Sequence, residues 1–221
     1  MILGLYLATP ILRFYTKSAS RENITYFLVV WFIATSLLPL FDRFLGIKIG
    51  LEIYVTTGFV GFYVLGFYLR FIKINLKYWS SILVIVCLSV LLTQLLTYYL
   101  TVKANQGVFD NSFLLSESFN IVIATTGVFL FLKSIDYSEI YKTFPIVKII
   151  VKRLSSTSLG VYFIHVLIIE ELLSGRLGFK LHGESTFAWL AIPFVSLLVL
   201  FLSYLSTKFL KKVPLLKYAV P

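Results

Sequence analysis

The sequence predicts an all-α, polytopic bundle of transmembrane helices. Three observations carry that prediction. Hydrophobic residues make up 59% of the 221, and mean hydropathy is +0.92. Charged residues are only 14%, where a soluble domain carries about 25%. The apolar residues are also gathered into runs, most of them near the ~20 residues a helix needs to cross a bilayer.

Seven apolar segments follow one another at about 1–15, 25–41, 51–70, 79–100, 117–133, 157–174 and 187–210. The first is short for a span, so the expectation is six complete spans plus a partial one at the N-terminus. Tyr68, Tyr78, Trp79, Tyr98, Tyr99 and Trp189 cluster near segment ends, as an interfacial belt does. Cys87, the single cysteine, sits inside the fourth segment and reads as a small apolar packing residue. Gln94, beside Thr93 and Thr97, is expected to hydrogen-bond between helices. No internal repeat is visible, and residues 1–221 read as a single membrane-embedded domain.

The net charge of +10 raises the possibility of nucleic acid. The placement of the charges argues against it, because Lys and Arg lie between the apolar runs. One alternate set of connections carries Arg13, Lys17 and Arg21; Arg70, Lys73 and Lys77; Lys133 to Arg153; and Lys208 to Lys217. The other set carries only Arg43 and Lys48; Lys103; and Arg176 and Lys180. The positive-inside rule then puts the C-terminus and the 134–156 connection in the cytoplasm. After Pro145, Ile146, Val147, Ile149, Ile150 and Val151 alternate with Lys148, Lys152 and Arg153, which predicts a short basic amphipathic helix on the inner leaflet. An ordinary solvated loop is the competing reading.

The strongest functional signal is a histidine inside a span. Ser158-Leu159-Gly160-Val161-Tyr162-Phe163-Ile164-His165 opens an apolar run through Ile169. At ~100° per residue, Ser158, Tyr162 and His165 fall in one narrow stripe. An ionisable group at that depth normally faces protein or a wet cavity. His165 is a candidate base or hydrogen-bond donor, with Tyr162 and Ser158 lining the same pocket. The competing reading has His165 donating to a neighbouring helix's carbonyl without doing chemistry. Glu170 and Glu171 point off the stripe toward the outer interface, where Glu170 is a candidate acceptor contact. Arg13 is a candidate contact for a donor's phosphates, or a plain topological anchor. His182 reads as a solvated loop residue. No metal-ligand spacing, Gly-rich phosphate loop, paired-carboxylate site or nucleophile elbow is present in the sequence.

Four passages together resemble the acyltransferase type 3 family, the multispan bacterial O-acyltransferases of cell-surface polysaccharides. They are Leu5 to Arg13, ending Pro10-Ile11-Leu12-Arg13; the glycine- and tyrosine-rich Gly58 to Leu69; Ser158 to His165; and Lys211 to Lys217. The resemblance covers nearly the whole chain and matches the C-terminal part of the family. It implies transfer of an acyl group, most simply acetyl from acetyl-CoA, to a glycan or its lipid-linked precursor. It implies acyl-CoA as a substrate with no bound cofactor, and a bacterial cytoplasmic membrane as the location. It also implies a catalytic histidine on opening helices that would precede Met1, so the expectation is a chain with little activity alone, completed by those helices in trans. A glycan transporter or flippase component, and the non-catalytic half of a split enzyme, are the alternatives.

Overall fold

The computed structural model describes residues 2–46, 58–174 and 188–212. The 51–57 part of the third segment, His182 and the tail beyond Lys212 lie outside the described residues. Every regular element among the described residues is helical, and none of them is a strand. They fall into two compact units, residues 1–135 and 136–221.

The first unit begins with α1 (Ile2–Ser18), which continues through Pro10. The Pro-Ile-Leu-Arg passage therefore lies inside the helix and does not form a turn at its end. Ser20 starts α2 (Arg21–Phe32), its hydroxyl accepting from Asn23 N at 3.2 Å. A π-helical turn at Ile33–Leu37 joins α2 to α3 (Leu38–Leu45). Gly46, with φ 65°, closes α3 in the left-handed conformation. The α4 helix is Phe59–Leu69, and α5 is Trp79–Tyr98, extended by a π-helical segment Tyr99–Ala104. After a loop, α6 runs Phe119–Ser134.

The α4 helix packs on α1 and α2, and α5 packs on α6. Gly61 is required where α4 meets α2, because a Cβ there would lie 1.9 Å from Cε2 of the buried Trp31. Trp31 also meets Phe62 edge-on at 5.1 Å. Between α5 and α6 the contact is polar: Asn120 Nδ2 donates to Thr93 Oγ1 at 2.6 Å and to Phe113 O at 2.8 Å. Thr93 and not Gln94 makes the interhelical bond, since Gln94 is exposed. Cys87 is likewise exposed on α5 and is not a packing residue.

The two ends of this unit differ. At one end Lys133 Nζ donates to Leu69 O at 2.9 Å, Arg70 O at 2.5 Å and Ile72 O at 2.7 Å, capping the carbonyls that end α4. At the other end Arg43 pairs with Asp110 and reaches Ser112. Asn105 Nδ2 donates to Asp110 at 2.9 Å, as does Ser112 N at 3.0 Å.

The second unit holds α7 (Tyr137–Thr143), α8 (Pro145–Ser174) and α9 (Ala188–Leu210). The Asp136 side chain caps α7 by accepting from Ser138 N at 2.9 Å. The basic stretch 146–153 is helical, and it is the first two turns of the same 30-residue rod that carries His165. Antiparallel α8 and α9 pack together, and Lys211 Nζ reaches Ser156 O at 2.7 Å.

Three described helices are long and apolar enough to cross a bilayer: Arg21–Leu45, Trp79–Ala104 and Leu190–Leu210. Phe119–Ser134 makes a fourth if it is taken with Tyr137–Thr143. The apolar stretch of α8 is interrupted by Ser155-Ser156-Thr157-Ser158 and bounded by Arg153 and Glu170, so length and composition do not single it out. The described part of α4 spans only 11 residues. Six complete spans are therefore more than the described helices establish.

Two outcomes test these end clamps. Lys133→Met keeps the aliphatic stem and removes the cap, so it should cost about 1–2 kcal/mol of stability in thermal unfolding in detergent; an unchanged midpoint would show the cap to be idle. Burial opposes ionisation of Asp110, but the hydrogen bonds from Ser112 and Arg43 outweigh it and hold the carboxyl below its ordinary value. Its stabilising contribution is then complete above the ordinary aspartate range and is lost as pH falls through the lower folded value. Acidification through that window should loosen the 105–118 loop to protease, and Asp110→Asn should be loose already at neutral pH. Equal protease resistance of the two proteins at pH 7 would contradict this.

Candidate functional site

Pro145 suits the first turn of α8, where its missing N–H costs nothing, and no further proline interrupts the rod. The helix therefore carries Ser155, Ser158, Tyr162 and His165 along one side in register. A groove of about 900 Å3 runs along α8 and α9 inside the second unit. Val151, Leu154, Val161, Ile169 and Leu172 supply the α8 wall, and Val195, Val199 and Leu200 the α9 wall. Ser155, Ser158, Tyr162 and His165, with Ser196 from α9, are its polar points. The stripe expected from helical spacing is thus one lining.

Three of the polar points, Ser158, His165 and Ser196, find partners within their own helices. Ser158 Oγ donates to Ser155 O at 2.9 Å, and Ser196 Oγ donates to Ile192 O at 2.7 Å. Each hydroxyl has used its proton and presents lone pairs. His165 Nδ1 lies in hydrogen-bond contact with Tyr162 O, one turn back on α8. A carbonyl oxygen can only accept, so Nδ1 is the donor, and in the neutral ring Nε2 holds the lone pair. Among the described residues the imidazole's hydrogen-bond partner is its own backbone and not a neighbouring helix. The Tyr162 and His165 rings lie 5.3 Å apart, tilted by 50°.

The lining is mostly apolar, with one imidazole, one phenol and three serine hydroxyls. It suits an aliphatic or thioester group with a polar end, and not a naked polyanion. Among the described residues no three His, Cys, Asp or Glu side chains gather as a metal site.

The other expected site residues fall elsewhere. Glu170 and Glu171 are exposed near the end of α8, and neither lines the groove. Arg13 is exposed on α1 in the first unit, where its carbonyl accepts from Thr16 Oγ1 at 3.3 Å. Lys17 and Arg21, not Arg13, line a separate cavity of about 450 Å3 there, with Thr16 and Tyr68. Ser155 and Ser196 are groove residues that spacing around His165 did not single out. A signal existed for Ser196: with Ser203 and Thr207 it repeats every four or seven positions along an otherwise apolar helix.

A family model for an acyltransferase domain matches residues 1–208. No curated protein and no solved structure matches the chain at a significant level.

The tautomer can be read directly. The chain has two histidines, so a His182→Gln protein leaves one ring to observe. Its long-range 1H–15N spectrum at neutral pH should show a protonated Nδ1 and an unprotonated Nε2. The opposite tautomer would refute the Tyr162 anchor.

Proposed function

The chain belongs to the acyltransferase type 3 family, and we propose that it takes part in moving an acyl group, most simply acetyl, from acyl-CoA to a hydroxyl of a cell-surface glycan or its lipid-linked precursor. The observation that carries this reading is the family match, which runs through the described helices up to Lys208 and includes the whole groove around His165. The chemistry is an attack of the hydroxyl oxygen on the thioester carbonyl. The C–O bond forms, the C–S bond breaks, and the hydroxyl proton leaves through a base to the CoA thiolate.

In this reading His165 lines the pocket. Its ring is held by Tyr162 O, and Nε2 accepts a hydrogen bond from a bound group. Tyr162 and the apolar wall exclude water around the acyl end. The sidedness follows from charge. Lys17, Arg21, Arg70 and Lys133 lie toward one end of the first unit and Arg43 at the other, which supports a cytoplasmic Lys-rich end in a bacterial cell membrane. The same rule, applied to the sequence, supports a cytoplasmic C-terminus.

Radiolabelled acetyl-CoA added to the protein's native membranes, where helices acting in trans are also present, should label glycan in a protein-dependent way. A pocket-lining His165 predicts that His165→Ala lowers transfer on the order of tenfold, mostly through KM. A general base would cost about 10²–10⁴ in kcat. Membranes that show no protein-dependent label transfer would remove the acyltransferase reading.

A further inference from the structure

A second polar cavity lies in the first unit, at the end away from Arg21 and Lys133. Its volume is about 540 Å3, within the range of about 300–1,000 Å3 seen for small-molecule sites. Thr35 and Ser36 line it from the π-helical turn, Asp42 and Arg43 from α3, and Ser112 and Glu117 from the loop before α6. The distortion of α2 into a π turn falls at this wall, as such turns often do at functional sites. Ser36 Oγ donates to Glu117 O and pins the loop to that turn.

The charge of the cavity decides what it takes. Among the described residues Arg43 is the one cation in the lining, and it is committed to Asp110. Asp42 and Glu117 form no ion pair among the described residues. Glu117 Oε2 accepts from Ser116 Oγ at 3.0 Å, which leaves its other oxygen for a ligand. The cavity therefore presents carboxylate acceptors and hydroxyls at the water-facing end of a bundle. Such a wall accepts hydrogen bonds from O–H or N–H donors and repels a second carboxylate or a phosphate.

We propose that this cavity is the subsite for the acceptor sugar, that Asp42 and Glu117 hold its hydroxyls, and that its charge selects neutral or amino sugars over uronic and sialic acids. The proposal rests on the acyl-transfer reading for the identity of its ligand as an acceptor. The binding step stands apart from the transfer and is measured separately.

The test uses the full chain in nanodiscs of neutral lipid, with a neutral hexose oligosaccharide and its uronic-acid counterpart of equal length. Titration should show the neutral sugar binding about tenfold or more tighter than the acid. Glu117→Gln should weaken neutral binding by a similar factor, and Asp42→Asn with Glu117→Gln should narrow the gap between the two sugars. Both substitutions are near-isosteric, and an unchanged thermal midpoint confirms folding. Equal affinity for both sugars, no binding of either, or folded variants with unaltered preference would each overturn the proposal. Binding with the expected preference but no labelled transfer in membranes would instead overturn the acyl-transfer reading and leave the sugar site standing.

Discussion

The ammonium of Lys133 holds the end of α4, and much of the first unit depends on it. A helix that stops at a membrane boundary leaves carbonyls without intrahelical partners, and lipid offers none. Lys133 donates from α6 to the carbonyl of Leu69, the last residue of α4, and to those of Arg70 and Ile72 in the turn that follows. The same contact fixes α6 against α4. From there the packing propagates: α6 locks to α5 through Asn120 and Thr93, and α4 locks to α2 where Gly61 accepts the face of Trp31. At the far end Ser36 to Glu117 and Arg43 to Asp110 tie α2 and α3 to the loop before α6. The unit is thus clamped at both ends by polar contacts, while its middle relies on close approach.

That close approach follows the logic of a lipid solvent. Leu and Phe gain little by turning inward, because the hydrocarbon outside is as apolar as the interior. Leu7, Phe14, Leu83 and Phe209 are accordingly exposed. The buried positions belong in large part to small or polar residues: Thr16, Ser36, Ser89, Thr93 and Asn120 in the first unit, and Thr157, Ser203 and Thr207 in the second. Gly127 sits where a Cβ would come within 2.6 Å of Val86 Cγ2. The exposure of Cys87 and Gln94 belongs to the same inversion, in which neither an apolar nor a polar label by itself says which way a side chain faces.

The helices and the His165 stripe were legible in the sequence because both are local. Hydropathy marks a rod, and a spacing of three to four residues marks a face. The polar clamps were not legible. Arg43 and Asp110 are 67 positions apart, and Lys133 and Leu69 are 64 apart. Nothing local separates Lys133 from the other cations counted toward topology. Thr93 was overlooked for its neighbour Gln94 because amides are the stronger hydrogen-bonding type, yet the helix turn places Thr93 inward. The basic stretch after Pro145 was read as a separate element because its charges differ from the apolar run that follows. Helical continuity depends on the backbone, and no proline or glycine breaks the chain before Gly160, which the rod absorbs.

The His165 anchor bears on what the groove can do. A histidine that hydrogen-bonds to its own helix needs no second element to choose its tautomer, so the ring is oriented wherever α8 is intact. Nε2 then faces its surroundings as an acceptor on an apolar wall, with hydroxyl lone pairs from Ser158 and Ser196 nearby in the same lining. All of these are acceptors, and a thioester carbonyl oxygen is also an acceptor. The groove therefore has little to offer the oxyanion that develops in acyl transfer, apart from the Tyr162 phenol and the Ser155 hydroxyl. It is better matched to a group that brings its own proton, such as a hydroxyl, an amide N–H or a pantetheine arm.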